Sequence, residues 1–176
     1  LIVEPKTIFY IQYAKGRLAL PTEDLEADMY DVLMNEMEAH GLKQYEISNF
    51  AKPGFSSIHN KIYWDNDEYA GFGAGAHGYL EGVRYSNYGP IKKYMEAVEA
   101  GSRPVVHEHE VTQTERKEEQ MFLGLRKTDG ISNEVFERKF NETIFDTYRK
   151  VIEGLVKDEL LESNEYGIRL TRKGRF

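Results

Sequence analysis

His59, Asn60, Tyr63 and Trp64 put an imidazole, an amide and two large ring faces into one short run. Neutral imidazole is a common axial ligand to haem iron, and adjacent rings offer apolar area to a flat macrocycle. Just downstream, Gly71, Gly73, Gly75 and Gly78 alternate with Ala74 and Ala76. Without Cβ atoms in the way, such a backbone approaches a ligand or another chain segment closely. The stretch from Gln44 to Tyr79 therefore reads as a pocket for a flat or nucleoside-like ligand. A second reading stays open beside it: a loop tucked into a core, with a tight turn or bulge at a sheet edge, has the same composition. His59 by itself would more often be a surface or capping residue than a ligand.

Two further motifs carry less. Gly71-Phe72-Gly73-Ala74-Gly75-Ala76 departs from the dinucleotide fingerprint, with Ala76 where the last glycine belongs and no helical period after it. His107 and His109 flank Glu108 and share one strand face, as two metal ligands would, but a third ligand at a sensible spacing is missing. A solvated strand edge is the plainer reading. The absence of cysteine excludes disulfides, thiol nucleophiles and cysteine-held metal within this stretch.

The elements that must position these residues follow from periodicity and caps. Leu1-Ile2-Val3 reads as the tail of a strand stopped by Glu4-Pro5, and residues 6–20 as an ordered loop with one short helical turn. Thr22 caps a helix carrying Leu25, Met29, Val32, Leu33 and Met37, which ends at Gly41. Tyr45 to Phe50 then alternates like a strand. Strand, helix, short turn and strand spell a βαβ unit with parallel pairing. Glu81-Gly82 turns a hairpin, and Pro90 opens a helix through Ile91, Tyr94, Met95 and Val98.

Ser102-Arg103-Pro104 marks a domain boundary, and Val105 to Val111 crosses it as an extended segment. Beyond it, Thr112 to Glu115 is a capping box for a helix whose buried face is Met121, Phe122 and Leu125. Ser132 caps a helix with Val135, Phe136 and Phe140. Thr143 caps a longer one with Phe145, Tyr148, Val151, Ile152, Leu155 and Val156. A hairpin over residues 160–170 completes a winged-helix pattern. Its third helix mixes Arg149, Lys150 and Lys157 with Asp146, Glu153, Asp158 and Glu159, unlike a phosphate-facing helix.

The bulk numbers bound the rest. With 176 residues, 40% apolar and 30% charged, the chain has room for one full domain or two small ones of ordinary globular composition. A formal charge of −7 argues against a general nucleic-acid binder. No apolar run reaches the roughly 20 residues of a membrane span, no signal peptide is visible, and a cytoplasmic location is expected. The chain starts at Leu1 rather than methionine and reads as a piece of a longer protein.

Four ordered motifs carry a resemblance. Leu1-Ile2-Val3-Glu4-Pro5, Gln44-Tyr45-Glu46-Ile47-Ser48-Asn49-Phe50-Ala51, His59-Asn60-x-x-Tyr63-Trp64 and Gly71-x-Gly73-Ala74-Gly75-Ala76-His77 occur in this order. Together they resemble the radical SAM proteins related to oxygen-independent coproporphyrinogen III oxidase (HemN/HemW type), nearest the haem-chaperone branch. The resemblance covers essentially the whole chain.

It implies an α/β fold: the C-terminal part of a radical SAM partial (β/α) barrel over residues 1–103, then a small winged-helix-like α+β domain over 104–176. It implies S-adenosylmethionine and an iron–sulfur cluster as cofactors, the cluster's C-x-x-x-C-x-x-C ligands lying outside these residues. It further implies haem or porphyrin contact at His59, Asn60, Tyr63 and Trp64, and proximity of Gly75, Ala76 and His77 to S-adenosylmethionine. In the chaperone branch haem is passed to acceptor haem proteins. In the oxidase a radical abstracts hydrogen from propionates, which become vinyl groups. The intact His59-Asn60-Lys61-Ile62-Tyr63-Trp64 hexad favours the chaperone, with no nucleic acid as partner.

Overall fold

A computed structural model describes residues 3–176. The strand expected at Leu1–Val3 thus falls largely outside the described residues, and Val3 itself belongs to no strand. The segment expected to be mostly loop instead forms α1 (Ile8–Ala14), because the Thr7 side chain accepts from Tyr10 N and nucleates it. The Thr22 cap holds, with its side chain accepting from Leu25 N at the start of α2 (Glu23–Ala39). Its apolar stripe is open to solvent in this chain. Leu25, Met29 and Val32 are each at least half exposed, and Met34 is the buried residue.

The run from Tyr45 to Phe50 is not one strand. It splits into β1 (Lys43–Glu46) and β2 (Asn49–Ala51), an antiparallel hairpin with a register shift between Gln44 and Glu46. The Glu46 side chain makes the turn, since its Oε1 accepts from Ser48 N at 2.9 Å and Asn49 Nδ2 at 2.5 Å. Parallel pairing, expected from the βαβ grammar, does not occur among the described residues, where each strand pairing is antiparallel. Alternation reports that a segment is extended and says nothing of the direction of its partner.

Next come α3 (Ile58–Trp64), β3 (His77–Leu80), β4 (Val83–Asn87), α4 (Ile91–Glu99) and β5 (Val105–Glu110). The expected Glu81-Gly82 hairpin joins β3 to β4, with both turn residues at positive φ. β5 adds to the far side of β4, giving the order β3-β4-β5. The strand after Pro104 is therefore hydrogen-bonded to the first half of the chain.

The rest is α5 (Gln113–Gly124), β6 (Ile131–Ser132), α6 (Asn133–Phe140), α7 (Ile144–Lys157), β7 (Leu161–Ser163), β8 (Gly167–Leu170) and a 3₁₀ turn, Lys173–Arg175. All the expected caps form: boxes at Thr112 with Glu115 and at Thr143 with Asp146, and Ser132 accepting from Val135 N. The sheet runs β6-β8-β7, so a short strand joins the expected hairpin. Ile131, Phe136, Phe140, Ile144, Ile152, Leu161 and Ile168 form the buried cluster. Met121 and Leu125 pack against it as expected, but Phe122 points outward at 70% exposed. Adjacent helical residues lie about 100° apart, and on α5 Met121 falls on the face toward the core while Phe122 falls beyond its edge.

Candidate functional site

His59, Asn60, Tyr63 and Trp64 sit on α3 rather than in a loop. Ser57 caps the helix by accepting from Asn60 N at 3.2 Å. Its run of polar and aromatic residues has no apolar period long enough to announce a helix. The i,i+4 spacing then sorts the motif into two stripes. His59 and Tyr63 form one, with rings edge to face at 4.8 Å and the Tyr63 hydroxyl 3.0 Å from His59 Nε2. Asn60 and Trp64 form the other.

The two stripes have different surroundings. His59 is exposed, and Tyr63 is half-buried and meets the ring of Tyr69 edge-on at 4.6 Å. Burial is the largest influence on the Tyr69 hydroxyl and raises its pKa, with nearby Arg84 acting in the opposite sense. Asn60 Nδ2 donates to the Tyr45 hydroxyl at 3.2 Å, and the Arg126 guanidinium lies over the Trp64 indole at 4.4 Å. Arg126 also pairs with Glu46, which is fully buried. Trp64 is thus a joint residue between the first half of the chain and the last, Asn60 ties α3 to β1, and His59 with Tyr63 forms the accessible edge.

The glycine run is a closed loop. Tyr69 and Tyr79 bond reciprocally at 2.8 and 2.9 Å across its base. Asn87, 6% exposed, reaches in from β4, its Nδ2 donating to Gly71 O at 3.3 Å and Gly73 O at 3.0 Å. A Cβ on Gly71 would stand 2.1 Å from His77 O, while Gly73 adopts φ 101° and Gly75 φ 71°. The glycines thus serve the loop's own packing, as the alternative reading anticipated.

Gly75 N donates to Tyr88 O at 2.9 Å, Ala76 N to Gly73 O at 3.3 Å, and Ala76 O accepts from Asn87 N at 2.9 Å. With those peptide groups engaged, the exposed His77 imidazole at the start of β3 is what Gly75, Ala76 and His77 present outward. Among the described residues, no hydrogen bond or ring contact links His59 or Trp64 to this turn. His107 and His109 lie on β5, where His109 Nε2 is 3.1 Å from Glu115 Oε1. No group of three or more metal-ligating side chains occurs among the described residues.

A polar seam completes the setting. Arg84 binds Glu119 and Asn66 Oδ1, with its guanidinium 4.5 Å from the Tyr79 ring centre. Burial is the largest influence on Arg84 and opposes its charge, yet the bond to Glu119 and the attraction of Glu119, Tyr69 and Tyr79 together leave the pKa above the ordinary value. Lys127 pairs with Asp65, and Lys139 with Asp67. Arg126, Glu46, Lys127 and Lys139 were invisible to sequence reasoning, because each meets a residue tens of positions away and no local spacing marks such a pair.

Residues 111–176 match the HemN C-terminal domain family. The whole chain is 49% identical to the "Heme chaperone HemW" of Bacillus subtilis, covering 100% of this chain and 46% of that protein. Along its whole length the chain is thus similar to proteins of the HemN/HemW type. A more distant relative is the mouse "Radical S-adenosyl methionine domain-containing protein 1, mitochondrial", 30% identical over 99% of this chain and 42% of its own length.

The HemN/HemW fold also appears in the solved coproporphyrinogen III oxidase (HemN) of Escherichia coli, described as a radical SAM enzyme. That likeness has a TM-score of 0.68 at 17% identity and covers 94% of this chain and 42% of that one. The mixed α/β architecture expected from the HemN/HemW motifs is therefore present. The chain spans about half the length of the curated relatives it matches. No helix among the described residues is long and apolar enough to cross a membrane.

Proposed function

We propose that this chain is part of a haem chaperone of the HemN/HemW family, taking haem as cargo and passing it to acceptor haem proteins. The observation that carries the reading is the exposed His59 imidazole, held against Tyr63 at 3.0 Å on a helix anchored at its other stripe. If the Tyr63 oxygen accepts from Nε2–H, Nδ1 keeps its lone pair and is the nitrogen free for iron. Tyr63 then orients the ligand and offers a ring face beside it, while Asn60 and Trp64 secure the helix. The name of the Bacillus subtilis relative supports the same reading. The likeness to HemN is one of fold alone and transfers no oxidase activity.

As family cofactors, S-adenosylmethionine and an iron–sulfur cluster belong to this proposal too. Cysteine thiolates hold such clusters, and the 176 residues contain none, so these residues do not fit the cluster. Gly75 N and both peptide groups of Ala76 are engaged by Tyr88, Gly73 and Asn87, which leaves His77 as the polar side chain able to reach S-adenosylmethionine. The proposed division at 103/104, the cytoplasmic location and the absence of nucleic-acid partners belong to the same reading.

Spectroscopic haem titration of His59→Ala tests it. The expected result is a changed Soret spectrum or weakened binding, with the melting temperature nearly unchanged. An unaltered spectrum and affinity would remove His59 as a ligand.

A further inference from the structure

The C-terminal end of α3 is built to receive a cation from another part of the chain. Asp67 N donates to Ile62 O and Asn66 N to Tyr63 O, both at 3.1 Å, with Asn66 left-handed at φ 51°. This is a Schellman closure, in which asparagine tolerates the positive φ and the last carbonyls face outward. Lys139 of α6 meets them. Its Nζ donates to Asp65 O, to Asn66 O at 3.4 Å, to Asp67 Oδ1 at 2.8 Å and to Gln120 Oε1 at 3.1 Å. The lysine side chain is 17% exposed and Gln120 is 2% exposed, so the contact is largely sheltered from water. A positive charge at this end also complements the helix dipole.

A helix of 7 residues cannot hold itself formed or aimed in water. Its direction is set by what grips it. Asn60 is tied to Tyr45, and the far end is tied to Lys139, with Asn66 further held by Arg84 and the Arg116 carbonyl. His59 precedes Asp65 by less than two turns, about 9 Å along the axis, so a tilt at the clamp displaces the imidazole. Arg126–Glu46 and Lys127–Asp65 join the two halves independently of Lys139. Loss of Lys139 therefore removes the ammonium cap and loosens the helix end, which Lys127 on Asp65 and the bonds of Asn66 still hold, without parting the halves.

We infer that Lys139 is a positioning residue for haem binding: the C-terminal domain aims His59 by capping α3 with this ammonium. The inference rests on the haem reading of His59. Its test is a haem titration of the purified protein, at a temperature well below every variant's melting transition, with Lys139→Met, Lys139→Arg, Asp67→Asn and His59→Ala in parallel. Lys139→Met is expected to weaken haem binding at least tenfold and to shift the Soret band toward that of His59→Ala. Lys139→Arg should restore most of the affinity by renewing the charge. Asp67→Asn, which removes the negative charge facing Lys139 but keeps an acceptor oxygen, should give a smaller change in the same direction and serves if the methionine variant fails to fold. A wild-type affinity and spectrum in Lys139→Met or, if that protein does not fold, in Asp67→Asn, while His59→Ala is altered, would overturn the positioning role alone. An unaltered His59→Ala would remove the haem reading and this inference with it.

Discussion

The Arg126 guanidinium lies 4.4 Å from the centre of the Trp64 ring and, from the same position, reaches the Glu46 carboxylate at 3.2 Å. Glu46 is completely buried and also accepts from Ser48 N and Asn49 Nδ2. One arginine thus neutralises the carboxylate that makes the β1–β2 turn and covers the indole that ends α3. Arg126→Met keeps much of the cover over Trp64 but strands a buried charge. Removing one partner of such a pair costs about 3–5 kcal/mol. Urea denaturation should find a loss near the lower end of that range, since the Arg126 side chain is 25% exposed. It should be largely recovered in the Arg126→Met/Glu46→Gln double variant. A loss below about 1 kcal/mol would mean the pair behaves as an exposed one.

The loop from Tyr69 to Tyr79 should be intolerant at Gly71. A Cβ there would stand 2.1 Å from the His77 carbonyl, backbone that cannot rotate away. Gly71→Ala is expected to destabilise by roughly 2 kcal/mol or more through forced backbone movement. Gly89→Ala is the control, because a Cβ there meets nothing within 4 Å, and should stay within about 0.5 kcal/mol of the parent. Equal melting temperatures for the two variants would refute the close packing at Gly71.

Acid should erode the stability of the C-terminal half through its caps. Thr112 N–H and hydroxyl bonds hold Glu115 below the ordinary carboxylate range, and the Thr143 hydroxyl and N–H do the same for Asp146. Lys117 lowers Glu142. Groups whose folded pKa is depressed contribute stability above their unfolded pKa of about 4, and lose it as the pH falls through the folded value. Thermal melts between pH 6 and pH 3, on the order of these values, should therefore show the melting temperature falling on the acid side. Asp146→Asn should flatten that fall, and an unchanged slope would remove Asp146 as a contributor.

The winged-helix-like C-terminal region is expected not to bind duplex DNA. Its α7 interleaves Arg149, Lys150 and Lys157 with Asp146 and Glu153, which opposes the phosphate neutralisation that supplies nonspecific affinity. Salt-sensitive, micromolar binding near physiological ionic strength would count against this. Fluorescence anisotropy with a labelled duplex reads it directly.

Local chemistry was legible in the chain wherever a few neighbouring residues decide the outcome. Thr22, Thr112, Ser132 and Thr143 announced their helices because a cap needs only a hydroxyl and an N–H a few residues apart. The Glu81-Gly82 turn and the Phe136–Phe140 face were legible for the same reason. The motif His59-Asn60-x-x-Tyr63-Trp64 was likewise visible as a group, though not as a helix.

Partner choice was not legible, because it depends on residues far apart in the chain. The sequence carried the extended character of residues 43–51, but alternation did not name the direction of their partner, and the Arg126 that pairs with the turn's Glu46 lies about 80 residues on. It carried the ring pair Tyr63 and Trp64, but tertiary packing turned Trp64 toward Arg126 and left His59 at the surface. Residue types and spacing determined which imidazole, amide and ring groups this protein brings together between His59 and Trp64. Only the tertiary structure decided which of them are used up in the joint between its halves, since burying a charge or a ring requires a partner that no local spacing can name.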